Sequence, residues 1–391
     1  MEVDTSESVR IDRKKKKLDK QKYSKCDKFD INKSISYRGR SRLMNDYNQH
    51  FLDTGLRPQN FIRDSDFSKR FEEYPKLDRL MKLKSEIIQA RATPPMYIKA
   101  NLRTFNWDSL GVRFDVILIN PPWHNSHSLP TDKFCWTVAE LKKIPIDRIA
   151  DSPSFCFIWC GADHLEDARE TLSHWKFRRC EDICWLKTNI HWKNSFHDNS
   201  NFSRCINNDT LLKRTTEHCL VGVNGIVKRD VDFHFIHSNL DTDVLIAEET
   251  DPLELLLREY EMDDLRKQLN DTNMEQIHEE INRLRMKEYE KPKELYDIID
   301  RFCMGRRKLE LFGIETSIRP GWLTIGPYLS SSNFDPINYR LWTEGDACWP
   351  EKRDYRGGRF MGTTDEIENL RPKSPPRAGG ASNVRYEEYS D

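Results

Sequence analysis

The sequence predicts an α/β protein built on a doubly wound, mostly parallel sheet. Two observations carry this expectation. Several short segments are apolar at nearly every position, which suits strands buried on both faces. Segments with helical spacing separate them, and alternation of this kind favours helices on both sides of one sheet. Phe114 to Ile119 is apolar apart from Asp115, and Phe155 to Trp159 and Cys219 to Val223 are continuous apolar runs. Val244 to Ala247 and Leu309 to Phe312 are shorter versions. Leu165, Ala168, Leu172 and Trp175 share one helical face; Leu295, Ile298, Ile299 and Phe302 share another.

Three segments stand outside this pattern. Residues 1–45 hold 14 Lys/Arg and 7 Asp/Glu, including Lys14 to Lys17, and read as a disordered basic arm. Residues 371–391 open on Arg371-Pro372-Lys373-Ser374-Pro375-Pro376 and read as a disordered tail. The domain proper is expected over 46–370. Within it, 252–289 is more acidic than basic and reads as an inserted charged helical hairpin. Leu257, Leu265 and Leu269 fit its first helix, and Met274, Ile277, Ile281 and Leu284 its second. Thr272 and Glu275 have capping-box spacing between them.

Charge and composition narrow the function. Lys plus Arg total 63 and Asp plus Glu 64, a net charge of −1, so any nucleic-acid surface must be a local patch. No stretch approaches the roughly 18 apolar residues of a bilayer span. The ten cysteines and the absence of an apolar stretch near Met1 suggest an intracellular chain with reduced thiols. Cys156 with Cys160, and Cys180 with Cys184, have tempting spacings for a metal. Both pairs lie in strand-like segments, where four residues span about 13 Å. Buried free thiols are the expected account, and no metal is expected.

The sharpest motif is Asn120-Pro121-Pro122-Trp123, directly after the run ending at Ile119. Open α/β sheets place ligands at the carboxyl ends of strands. Methylating an exocyclic amine needs acceptors that hold its N–H groups while the lone pair faces the methyl donor. An amide oxygen and a proline carbonyl can do this, and proline adds no competing donor. The aromatic can stack on a base. A rigid loop after a strand is the plainer reading.

Longer strings carry a resemblance. Asn45-Asp46-Tyr47, Arg57-Pro58-Gln59-Asn60-Phe61-Ile62-Arg63-Asp64, Arg70-Phe71-Glu72-Glu73-Tyr74-Pro75, Cys180-Glu181-Asp182-Ile183-Cys184-Trp185, Glu217-His218-Cys219-Leu220 and Ile318-Arg319-Pro320-Gly321-Trp322 are among them. Over roughly 45–376, apart from the hairpin, the chain resembles the family of mRNA adenosine-N6 methyltransferase subunits, in its non-catalytic branch. The resemblance implies a Rossmann-like methyltransferase fold and a nuclear heterodimer with a catalytic subunit of the methyltransferase-like protein 3 type. That partner holds S-adenosylmethionine and writes N6-methyladenosine into mRNA. This chain is expected to bind no cofactor of its own.

The resemblance also assigns residues. Against the catalytic sister's donor pocket, Asn101, Ile314, Thr316, Ser317, Pro327 and Tyr328 stand where polar partners of the donor are expected, and only Lys291 is kept. Asn120 to Trp123 is therefore read as a remnant, although the branch carries a different motif there. The alternative is an active adenine N6-methyltransferase using Asn120-Pro121-Pro122-Trp123. Arg169, Arg178 and Arg179, expected on a helix and turn before the strand at Ile183, and Lys228 with Arg229, fall on the RNA-binding edge. Arg70, Phe71, Glu181, Asp182, Arg214, His218, Asp241 and Asp243 fall at the partner interface, with salt bridges inside the chain as the competing account. The extra hairpin, and an expected Arg-Gly-Gly tail that does not appear before Asp391, set the chain apart from that branch.

Overall fold

The computed structural model describes residues 55, 71, 74–124, 132–188, 214–226, 241–250, 252–268, 274–287, 289–303, 305–343, 351–353, 359–361 and 364–370. The basic arm, the tail, Arg70, Lys228, Arg229 and the capping pair's Thr272 lie outside the described residues.

Eight strands form one sheet: β1 (Met96–Lys99), β2 (Phe114–Ile119), β3 (Ala150–Cys160), β4 (Arg178–Thr188), β5 (Thr216–Asn224), β6 (Val244–Glu248), β7 (Lys308–Leu311) and β8 (Trp322–Gly326). Their order is β1-β8-β7-β2-β3-β5-β4-β6. The pairings from β1 through β3 are parallel, β5 runs antiparallel to β3 and β4, and β6 is parallel to β4. The expectation of a doubly wound, mostly parallel sheet is met. A two-stranded ribbon, β9 (Glu351–Arg353) with β10 (Arg359–Met361), lies outside it.

The central strand β2 shows why the apolar runs are continuous. Ile117 and Ile119 enter a core cluster on one face of the sheet with Leu309, Leu311 and Trp136. Val116 and Leu118 enter a second cluster with Phe155, Phe157, Trp159 and Leu295. A strand covered on both sides has no position for a polar residue unless that residue is paired. Asp115 is the exception, and it accepts hydrogen bonds from the Arg306 and Arg307 backbone N–H groups, both at 3.1 Å.

Nine helices are described: α1 (Pro75–Arg91), α2 (Val138–Leu141), α3 (Ile146–Ile149), α4 (Leu165–His174), α5 (Pro252–Lys267), α6 (Met274–Lys287), α7 (Glu294–Phe302), α8 (Pro336–Thr343) and α9 (Asp365–Leu370). α4 buries Ala168 and Leu172, as its spacing predicts. It lies so close to β5 that a Cβ on Gly222 would meet Phe177 at 2.9 Å and Leu172 at 3.0 Å. α1 and α9 pack through Tyr74, Leu77, Leu80 and Ile367.

α5 and α6 form the expected hairpin, with corrections to its apolar face. Ile277, Ile281 and Leu284 are buried, but Leu257 and Met274 are exposed. Met262 takes the buried place on α5. The interhelix contact selects the side of α5 that carries Met262 and Leu265, whereas the sequence spacing pointed to Leu257; Leu269 lies outside the described residues. Of the cysteines, Cys156 and Cys160 are buried, whereas Cys180 is exposed and Cys184 half-buried, so the buried-thiol account holds for the first pair only. Among the described residues, no group of His, Cys, Asp and Glu could hold a metal, and no helix is long and apolar enough to cross a membrane.

Candidate functional site

The parallel half of the sheet brings the carboxyl ends of β1, β2, β3, β7 and β8 to one edge. Asn120 to Trp123 leaves β2 there. The motif is woven into its surroundings. The Trp136 backbone N–H donates to the Pro122 carbonyl at 2.8 Å, and the His124 N–H donates back to the Trp136 carbonyl at 2.9 Å. The Asn120 Nδ2 donates to the Tyr289 carbonyl at 2.6 Å. Trp123 is 7% exposed, and its Nε1–H donates to the Trp159 carbonyl at 2.8 Å. Its ring stacks on His164 with centroids 5.1 Å apart, and Asp167 holds the His164 Nδ1 at 2.8 Å.

Beside the motif lies a cleft lined by Asn120, Trp159, Tyr289, Lys291, Glu310 and Arg319, among others. The cleft is small and partly open to solvent. Most of its charged groups have partners within the chain, although one oxygen of Glu310 is buried without a hydrogen-bond partner. Lys291 is ion-paired to Glu217, and its ammonium lies over the rings of Trp159 and Trp185. Lys187 also pairs with Glu217 at 3.4 Å. Burial opposes ionisation of Glu217, yet the two lysines outweigh it and hold the carboxyl below its ordinary value. Glu310 accepts from the Tyr296 hydroxyl at 2.8 Å, and burial pushes its carboxyl up to about 7. The Arg319 guanidinium lies 3.2 Å from the centre of the Tyr296 ring.

The positions expected to have lost the donor's partners are all described. Asn101 accepts from the Arg103 backbone N–H at 3.0 Å. Ser317 is buried and closes a local turn by donating to the Ile314 carbonyl at 2.9 Å. Ile314 is half-buried and Thr316 exposed. Tyr328 stacks on Phe134 with centroids 6.0 Å apart, and Pro327 precedes it. Just before them, a Cβ on Gly326 would lie 2.1 Å from the Gly313 carbonyl oxygen, so the exits of β7 and β8 close directly on each other. The residues present do not fit S-adenosylmethionine. The lysine is already neutralised by Glu217, and Ile314 and Pro327, at positions the resemblance assigns to the donor's partners, bring no polar side-chain group.

At the other side of the sheet, Arg178 and Arg179 lie on β4 itself, at its first two positions, and not on the turn before it. The pairing with β5 shifts register between Arg179 and Glu181, a bulge that turns this strand end outward. Both arginines are exposed and have no ion-pair partner among the described residues. Arg178 stands opposite Val223, only five residues before Lys228 in the chain. Arg169 pairs with Glu166 one turn earlier on α4.

The residues assigned to a partner interface are mostly paired within the chain. Arg214 pairs with Asp163, Asp182 with His218 at 3.0 Å, and Asp241 with Arg301 at 2.6 Å. The Arg301 guanidinium also lies 5.6 Å from the centre of the Phe71 ring. Glu181 and Asp243 are exposed, with no ion-pair partner among the described residues.

A family model described as MT-A70 matches residues 114–278 and 258–328. The chain belongs to the MT-A70 family. It is similar to the N(6)-adenosine-methyltransferase non-catalytic subunit METTL14 of Danio rerio, 42% identical over 348 residues, covering 86% of this chain and 65% of that protein. The METTL14 of Drosophila melanogaster is 40% identical over 341 residues, covering 85% of this chain and 72% of the relative. The catalytic subunit METTL3 of Homo sapiens is 28% identical over 239 residues, covering 61% of this chain and 32% of that protein. The chain thus spans about two thirds of the METTL14 relatives, 65% in the fish. The resemblance read from its idiosyncratic strings is borne out.

Sequence reasoning passed over several MT-A70 cleft residues. Glu310 was visible as a lone charge inside the apolar run Leu309 to Phe312, and a charge there requires a partner. Glu217, Tyr296 and Arg319 gave no comparable signal. Their partners are distant in sequence, and only the folded sheet brings them together.

Proposed function

We propose that this chain is the non-catalytic, RNA-binding and scaffolding subunit of a nuclear heterodimer that methylates N6 of adenosine in mRNA, supporting a catalytic METTL3-type sister. The cleft carries this reading: Lys291, the one donor-pocket position that the resemblance keeps, is already ion-paired to Glu217. The names of the METTL14 relatives point the same way. Arg178 and Arg179 supply cations that are not neutralised within the described fold, and the chain leaving β5 leads to Lys228 and Arg229. Arginine grips phosphate in bidentate fashion and stacks on unpaired bases. Glu181 and Asp243 offer exposed carboxylates to a basic partner surface.

The test is co-purification with a METTL3-type catalytic subunit, followed by methyl transfer to RNA. The expected result is a stoichiometric complex whose activity depends on the sister's active site and survives Asn120→Ala in this chain. A monomer that ignores the sister, or transfer that requires Asn120, would overturn the proposal.

A further inference from the structure

The hairpin anchors the segment that lines the cleft beside Asn120, which runs on from its second helix through Tyr289, Glu290 and Lys291. The second helix, α6, does not stand free of the domain. Met286, in its last turn, is 1% exposed and belongs to the main core cluster. Next to it, the Arg285 guanidinium donates to both Asp132 oxygens, at 2.7 and 3.3 Å, and this hydrogen bonding lowers the Asp132 carboxyl below its ordinary value. The same guanidinium lies 3.9 Å from the centre of the Phe134 ring. Phe134 in turn packs on Tyr328 and Tyr289, each at 6.0 Å between centroids. Arg283 donates from Nε to the Tyr328 carbonyl at 3.3 Å, and Lys99 holds Glu279 at 2.6 Å.

These contacts fix the segment that leaves α6. Its Tyr289 carbonyl receives the Asn120 side-chain amide, and Tyr289, Glu290 and Lys291 line the cleft. The helix end, the Phe134–Tyr328 stack and the motif are therefore one connected set.

We propose that the hairpin α5–α6 is a built-in closure device, latched through Arg285 on Asp132 and Phe134, that keeps the cleft beside Asn120 shut against a purine nucleoside. The inference rests on the non-catalytic reading and deepens it: closure would exclude a base from the motif even where the motif's own chemistry is suitable. A bidentate arginine–carboxylate pair capped by a ring is directional, so its loss frees the helix end in a defined place.

The test uses the full chain, with Arg285→Ala and Asp132→Asn as openers and Lys267→Ala, on the exposed end of α5, as the control. Hydrogen exchange is followed in 132–136 and 286–291, together with quenching of tryptophan fluorescence by millimolar adenosine. Both openers should raise exchange in these segments by roughly tenfold or more, as for loss of one charged hydrogen-bonded pair. They should gain adenosine quenching that the wild type and the control lack. Should Arg285→Ala lose protection across β2 and β3 as well, Arg285→Lys decides: it keeps the charge without the fork, and local opening with a protected sheet is expected. Unchanged exchange in these segments, or equal adenosine binding by the wild type, overturns the latch. Methyl transfer by the wild-type chain alone would instead sink the non-catalytic reading, and it is read independently of the exchange.

Discussion

The two sides of the sheet treat charge in opposite ways. At the cleft, Lys291, Lys187, Glu217, Glu310 and Arg319 are buried or half-buried and engaged with partners inside the chain. At the start of β4, Arg178 and Arg179 are exposed and have no ion-pair partner among the described residues. The difference separates charges that build the fold from charges left for another molecule. A site retains the capacity to bind only where its polar groups are not already paired internally. On that criterion the charges at the cleft serve the fold, and under the proposed function the arginine end of β4 is the surface left for RNA.

The largest effect that could break this contrast lies at the cleft. Glu217→Gln leaves Lys291 without its carboxylate, while Lys187 keeps Glu249 at 3.1 Å, and removing one partner of a buried pair costs about 3–5 kcal/mol. Urea unfolding should show a loss of that order; a loss below about 0.5 kcal/mol would mean the pair is not structural. Asn120→Ala should cost about 1–3 kcal/mol, because the Tyr289 carbonyl loses its donor. It should leave methyl transfer by the complex at the wild-type rate. On the other side, Arg178→Glu with Arg179→Glu should alter stability by no more than about 0.5 kcal/mol. RNA affinity should fall, and the salt dependence of binding should weaken by about one unit of slope for each phosphate no longer neutralised. Arg229→Glu should behave in the same way if the chain leaving β5 joins this patch. The smallest effect is a pH dependence. Glu310 ionises near 7 in the folded chain and nearer 4.5 when unfolded. Between those values the folded state keeps a proton that the unfolded state has released, so its contribution is greatest at low pH and declines as pH rises to about 7. Glu310→Gln should remove that decline from the stability profile.

The sequence made one kind of feature legible and hid another. Strands covered on both faces, such as β2 and β3, announce themselves by unbroken apolar runs, and α4 and α7 by their spacing. The hairpin showed itself as a charged interruption of the alternation. Pairing across the sheet was hidden. Glu217 and Lys291 are 74 residues apart, and Asp132 and Arg285 are 153 apart, so nothing local links them. The place of Arg178 and Arg179 was misjudged because a bulged strand end looks like a turn. On α5 two apolar faces competed, and contact with α6 buried Met262 in place of Leu257.

The central claim is that the donor pocket has closed on itself. Isothermal titration of the chain with S-adenosylmethionine tests it most directly. No measurable binding is predicted at concentrations up to about 1 mM, corresponding to less than about 4 kcal/mol of binding free energy. Micromolar binding that disappears in Asn120→Ala would contradict the account and restore this chain as a methyltransferase in its own right.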